Sequence, residues 1–140
     1  MKLRYFVNRT GAISPETLAL TSLEVQGAAQ AFHSTIPGYE ATPLTPLDHL
    51  AQRLGVAQVL VKDESKRFGL NAFKALGGSY AMACHLGEQL GLSQEQITFE
   101  ALRTPAAREK LGERTFVTAT DGNHGRGVAW AARQLGHRAV

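Results

Sequence analysis

Little in this chain invites covalent cross-linking or a membrane. Cys84 is the one cysteine among 140 residues, so no internal disulfide forms. It follows Met82 and Ala83 in a helical pattern, and that setting predicts a buried apolar filler rather than a catalytic thiol. No apolar run approaches the roughly 20 residues that cross a bilayer. Met1-Lys2-Leu3-Arg4-Tyr5-Phe6 leads into no signal-peptide apolar block, so the expectation is a cytoplasmic protein with no membrane partner. The five histidines show no metal-ligand spacing beyond the accidental neighbours Cys84-His85, and no metal site is expected. No Gly-Lys-Ser or Gly-Lys-Thr occurs, and no Gly-x-Gly-x-x-Gly follows a strand, which removes the common nucleotide-binding loops. Basic stripes are missing too. The formal net charge is +3, yet Lys66-Arg67 is the only adjacent basic pair and acids are interleaved throughout. A nucleic-acid partner is therefore not expected, while an anionic small molecule stays open.

What remains is an ordinary globular composition, 44% hydrophobic and 19% charged, at the size of one domain. Residues 1–40 read as an arm with one helix, opened by Ser14-Pro15-Glu16 and ended by Thr35-Ile36-Pro37-Gly38-Tyr39. An extended, proline-punctuated segment covers 41–47, a short helix runs from Leu47 to Leu54, and Val56 to Val61 forms a first strand, buried over Gln58-Val61. Ala75 to Leu90 is helical and stops at Gly91. Ser93-Gln94-Glu95-Gln96 resembles a capping box, and Phe99 to Leu111 makes two short helices broken near Arg103-Thr104-Pro105. Thr115 to Ala119 is a second strand, Arg126 to Leu135 a helix stopped by Gly136, and His137 to Val140 the start of a third strand. Alternation of this kind predicts parallel α/β units over 41–140. A parallel sheet cut within its last strand predicts the N-terminal piece of a longer protein.

Two stretches carry chemistry. Asp63 to Tyr80 crosses from strand to helix, with Lys74 at the junction between Ala72-Phe73 and Ala75-Leu76. Apolar neighbours predict a buried stem, and burial favours the neutral amine that attacks a carbonyl, so one reading is a Schiff-base lysine. The other is a snorkelling lysine on an amphipathic helix. Further on, Thr120-Asp121-Gly122-Asn123-His124-Gly125 joins a strand to a helix, offering backbone N–H groups and the helix dipole to a carboxylate or phosphate. Gly77-Gly78-Ser79 makes the same offer more weakly. The plain alternative is a β-turn with Asn123 as helix cap and His124 as a capping or core histidine.

Taken together, Asn71-Ala72-Phe73-Lys74, Leu76-Gly77-Gly78-Ser79 and Gly122-Asn123-His124-Gly125 resemble the pyridoxal-phosphate enzymes of the tryptophan synthase β-like fold, fold type II. Within that group, Glu64 to Tyr80 and Phe116 to Trp130 are very similar to the diaminopropionate ammonia-lyases. The resemblance implies that Lys74 carries the cofactor as a Schiff base, with Phe73 against it and Asn123 bonded to its ring hydroxyl. It implies that the backbone of Thr120, Asp121, Gly122 and Asn123 receives the substrate carboxylate. Serine and threonine dehydratases usually carry Ser-Ser-Gly-Asn-His here, whereas this chain has Asp121 before Gly122. A carboxylate at that point suits a cationic β-amino group or a base, which favours 2,3-diaminopropionate over serine or threonine. Similarity to a family acting on both stereoisomers implies Asp121 as base for the D form and Lys74 for the L form. The phosphate-cupping glycine loop would lie past Val140, and the whole protein would be a homodimer. A non-catalytic α/β fragment that holds an anion is the reading from another class.

Overall fold

The computed structural model describes Gly11, residues 13–120 and residues 122–140. Half of the described α-helices start where the chain supplies a side-chain oxygen to their unpaired first-turn N–H groups. Ser14 caps α1 (Pro15–Ala19), accepting from the Thr17 N–H at 3.3 Å. Ser22 caps α2 (Leu23–Ser34) in the same way through Val25. The described part of the arm thus holds two helices where one was expected, because Ser22 ends one turn and opens another. Strand β1 (Leu44–Pro46) follows, then α3 (Asp48–Leu54) and β2 (Leu60–Lys62). Helix α4 (Lys74–Leu90) ends, like α3, on a glycine in the left-handed region, Gly91 at φ 76° and Gly55 at φ 66°. The Ser93 capping box is present, although it opens only a 3-10 turn over Gln94–Gln96. The break before Pro105 separates a 3-10 turn, Ala101–Arg103, from α5 (Pro105–Leu111), which Thr104 caps. Strand β3 (Thr115–Phe116), α6 (Asn123–Gln134) and β4 (Arg138–Ala139) complete the described order.

The β3–α6–β4 unit is parallel, as its alternation predicts, with Thr115 opposite Arg138 and Phe116 opposite Ala139. The first strand departs from the expectation. Rather than lying buried in a parallel sheet, β2 pairs antiparallel with β1, Leu44 opposite Lys62, and its three residues are exposed. The seven-residue α3 folds the chain straight back, so the proline-bounded segment before it becomes the partner. Apolar content predicted the strand but carried no information about its neighbour.

Helices α4 and α6 form the core. Ala75, Met82, Ala83 and Leu86 on one meet Val128, Ala131, Ala132 and Leu135 on the other, with Phe32, Ile36, Phe99, Leu102 and Leu111 packed around them. Phe32, Leu86, Leu102 and Leu135 are almost wholly enclosed, and each contributes about 2 kcal/mol by burial. Cys84 is only half-buried, beside rather than inside this core. Small residues set the spacing. A Cβ on Gly127 would stand 2.8 Å from the Ala75 nitrogen and 2.9 Å from the Lys74 carbonyl carbon, so the two helices touch backbone to backbone there. Ile97 fills the notch over Gly87 in a similar way.

The arm is tied to α4 by His33, whose Nε2–H donates to the Leu76 carbonyl at 2.9 Å between Phe32, Tyr39 and Tyr80. Burial holds its pKa below the usual 6.5, with the Arg67 charge adding to the effect against the Leu76 bond. Burial lowers His137 in the same direction.

Two outcomes follow from this packing. Gly127→Ala should lose about 1–3 kcal/mol in denaturant unfolding because its methyl meets backbone, whereas Gly77→Ala, with nothing within 4 Å of its Cβ, should gain up to about 1 kcal/mol in helix propensity. Both buried histidines take up a proton less readily in the fold than in the unfolded chain. The unfolded chain therefore binds more protons below pH 6.5, and stability should be complete above that pH and fall as pH drops through it and toward the folded pKa values. A series of thermal melts against pH checks this, with His33→Gln flattening the slope.

Candidate functional site

Lys74 owes its position to a loop held at three points. The first is Arg67, only 5% exposed. Its Nε donates to Glu64 Oε2 at 3.0 Å, its Nη2 to Glu64 Oε1 at 3.1 Å and its Nη1 to the Glu40 carbonyl at 2.6 Å, while the guanidinium lies 5.1 Å from the centre of the Tyr39 ring. The Thr42 hydroxyl donates to the same carboxylate, and the Lys62 ammonium donates to the Thr42 carbonyl. The Arg67 hydrogen bonds keep the Glu64 carboxyl below the ordinary carboxylate range. The second point is Phe68, stacked on Trp130 of α6 with ring centres 4.5 Å apart. The third is the contact of Lys74 and Ala75 with Gly127. Between them the chain takes φ 50° at Phe68 and φ 56° at Asn71. Side chains rarely adopt such left-handed angles, and they persist where the surroundings over-determine them. In the sequence Arg67 was noted only as half of the one adjacent basic pair. Its spacing of three from Glu64 was the available signal for the buried knot.

Lys74 itself is the first residue of α4 and is exposed, contrary to the buried stem expected from its neighbours. A residue at a helix N-terminus projects past the end of the apolar stripe, so apolar neighbours in sequence do not enclose it. Phe73 is also 55% exposed, and the Lys74 ammonium sits 5.2 Å from the centre of that ring. The anion-binding reading of Gly77-Gly78-Ser79 does not hold. These residues lie inside α4, and buried Ser79 donates its hydroxyl to the Leu76 carbonyl at 3.1 Å.

The turn after β3 is built around the side chain of Thr120, of which the sequence reading named only the backbone. Thr120 Oγ1 accepts the N–H groups of Gly122 at 3.1 Å and Gly125 at 2.8 Å. Gly122, at φ 150° and ψ −97°, is the N-cap residue of α6. Asn123 is the first helical residue and not the cap, and His124 is exposed in the first turn, neither cap nor core. Thr120, Gly122 and Asn123 are all exposed; Asp121 lies outside the described residues.

These two stretches meet through Gly127, one turn beyond Asn123 on α6 and packed on the backbone of Lys74. Between the first turns of α4 and α6 and the end of β3 runs a cleft of about 340 Å³, its walls including Gly77, Gly78, Met82, Thr118, His124 and Val128. Neither Lys74 nor Asn123 is among its walls; the two helix N-termini beside it carry an exposed primary amine suited to an aldehyde, an exposed side-chain amide, and N–H groups suited to an anion.

The knot at Arg67 yields a direct test. Arg67→Ala leaves the Glu64 carboxylate without its partner and should cost about 3 kcal/mol in unfolding free energy. Lys66→Ala, at an exposed neighbour, should cost less than about 0.5 kcal/mol.

A family model described as pyridoxal-phosphate dependent enzyme matches residues 35–140. Diaminopropionate ammonia-lyase of Salmonella typhimurium is 54% identical over 123 residues, 88% of this chain and 30% of that protein. The Escherichia coli K12 protein of the same name is 57% identical over 125 residues, 89% of this chain and 30% of its own length. Crystal structures of the Escherichia coli lyase superpose as well. The apo form gives a TM-score of 0.79 at 53% identity over 93% of this chain and 33% of that one, and the complex with an aminoacrylate-PLP azomethine reaction intermediate gives 0.76 at 52% over 94% and 30%. The chain spans about three-tenths of the length of the curated relatives it matches. With a family model covering its last 106 residues (35 to 140) and with the α/β, tryptophan synthase β-like fold of type II, the chain belongs to the family of pyridoxal-phosphate-dependent enzymes.

Proposed function

We propose that this chain is part of a pyridoxal-phosphate-dependent ammonia-lyase that eliminates ammonia from 2,3-diaminopropionate, leaving pyruvate. The observation that carries the reading is the contact at Gly127. The helix opened by Lys74 and the helix opened by Asn123 touch there, within about one turn of both N-termini. Likeness at 54–57% identity to two proteins of that name supports the substrate.

The groups present suit the cofactor. An exposed amine at Lys74 is free to condense with an aldehyde, the exposed ring of Phe73 stands beside it, and the exposed amide of Asn123 suits a ring hydroxyl. When bound, pyridoxal phosphate takes up the electron pair left by the departing α-proton. Lys74 holds the cofactor and removes the α-proton of the L form. Asp121 removes that of the D form, and its carboxylate suits a cationic β-amino group. N–H groups of the turn from Thr120 to Asn123 receive the substrate carboxylate. Loss of the α-proton and the β-ammonia leaves a three-carbon enamine, which adds water and yields pyruvate and a second ammonia. Residues 1–40 would serve as an arm and 41–140 as an incomplete cofactor-binding domain of a cytoplasmic homodimer. Among the described residues no helix is long and apolar enough to cross a membrane.

The test uses the protein extended past Val140 and supplied with pyridoxal phosphate. Borohydride reduction followed by peptide mass mapping should mark Lys74, and Lys74→Ala should lose both the mark and the visible absorbance of bound cofactor. Pyruvate release from DL-2,3-diaminopropionate should exceed that from serine. Asp121→Asn should lower turnover of the D isomer by at least about 100-fold, the scale of a lost general base, with the L isomer less affected. Absence of the Lys74 mark would sink the assignment.

A further inference from the structure

We infer that Trp130 is a positioning residue for Lys74: its ring, stacked on Phe68, sets the loop that opens α4 in register with the face of α6 that carries Asn123. This rests on the proposal that Lys74 condenses with the cofactor. Asn123, Gly127 and Trp130 stand at i, i+4 and i+7, so they lie on one face of α6. Gly127 receives the backbone of Lys74 and Ala75, and Trp130 receives Phe68 with ring centres 4.5 Å apart and planes 26° from parallel. One helix face thus meets the chain first at Phe68 and again at Lys74.

The turn at Phe68 makes phenylalanine an unusual choice there. The Leu70 N–H donates to the Arg67 carbonyl at 2.9 Å, and both residues inside that turn have positive φ, Phe68 at 50° and Gly69 at 69°. Turns of that hand ordinarily take asparagine, aspartate or glycine at the first inner position. An aromatic residue there strains the backbone, and the stack on Trp130 supplies the contact that offsets the strain. Arg67 cannot set this register. Its hydrogen bonds run to Glu64, Thr42 and the Glu40 carbonyl, none of which belongs to α6. The contact at Gly127 limits how closely the two helices approach but grips no side chain. The Phe68–Trp130 pair therefore registers the loop on α6, and Trp130 acts on the Lys74 amine through the backbone between them.

The experiment uses the full-length protein, stripped of cofactor and resupplied with pyridoxal phosphate. It compares the parent with Trp130→Phe, Trp130→Leu, Phe68→Asn and the double variant Trp130→Leu/Phe68→Asn. The rise of the bound cofactor's visible absorbance is timed, borohydride reduction marks Lys74, thermal melts report folding, and kcat and KM are measured for DL-2,3-diaminopropionate. Trp130→Phe keeps a ring and should stay within about threefold of the parent in every rate. Trp130→Leu keeps apolar bulk without a ring, and should slow cofactor uptake and lower kcat about tenfold, the scale of one aromatic pair, with KM within about threefold. Phe68→Asn suits the turn but removes the ring, so it should match Trp130→Leu, and the double variant should fall no further, as coupled residues do. Phe68→Asn at parent rates, Trp130→Phe as slow as Trp130→Leu, or losses that multiply in the double variant overturn the inference. A raised KM with kcat unmoved overturns it also. Where Trp130→Leu does not melt cooperatively, the rates of Phe68→Asn against the parent decide. A parent without the Lys74 mark overturns the lysine reading and this inference with it, whereas a mark formed equally fast in parent, Trp130→Leu and Phe68→Asn overturns the inference alone.

Discussion

Everything at the candidate site depends on one backbone contact, Gly127 against Lys74 and Ala75. Helices with ordinary side chains at their crossing keep their axes 8–10 Å apart. A glycine at the crossing lets the first turn of α4 settle directly on α6, and the small, buried faces of Ala75, Ser79, Ala83, Ala131 and Ala132 continue the close approach. Because the contact falls at the beginning of both helices, it joins their N-termini. Lys74 and the turn that opens α6, far apart in the sequence, become neighbours for that reason.

The loop ahead of Lys74 is the second constraint, and it is electrostatic rather than apolar. Arg67 is buried with its charge met by Glu64 and its remaining donor by the Glu40 carbonyl. A buried guanidinium without such partners would be costly, so the knot holds only when Glu40, Thr42, Glu64 and Arg67 all converge. That convergence, together with the Phe68–Trp130 stack, accounts for two residues other than glycine in left-handed conformation just before the helix. Conformational strain close to a reactive group is a common feature of functional sites, and here its supports are visible.

Local signals read well from the chain. Caps at Ser14 and Ser93, the break before Pro105, stops at Gly55 and Gly91, and the helix opened by Lys74 all follow from rules that act over a few residues. The parallel pairing of Thr115–Phe116 with Arg138–Ala139 followed from the alternation of strand and helix. Signals that need a partner distant in sequence read less well. The strand expected over Val56 to Val61 in that same parallel sheet is formed instead by Leu60–Lys62, and its partner is Leu44–Pro46, because strand content alone does not name a neighbour. Lys74 was expected to be buried because Phe73 and Ala75 flank it, yet a helix end turns sequence neighbours outward.

By itself, then, the sequence determined the chemistry available: a lysine opening one helix, a glycine-bounded Asp121-Gly122-Asn123 turn opening another, and motifs whose residue types suit a carbonyl cofactor and an anionic substrate. Tertiary structure alone decided how those groups are used. It exposed Lys74, buried Arg67, made Gly122 rather than Asn123 the cap, and gave Thr120 the task of satisfying two amides. The physical reason is that residue type sets which bonds a group is able to make, whereas burial and the competition among nearby donors and acceptors set which bonds it does make.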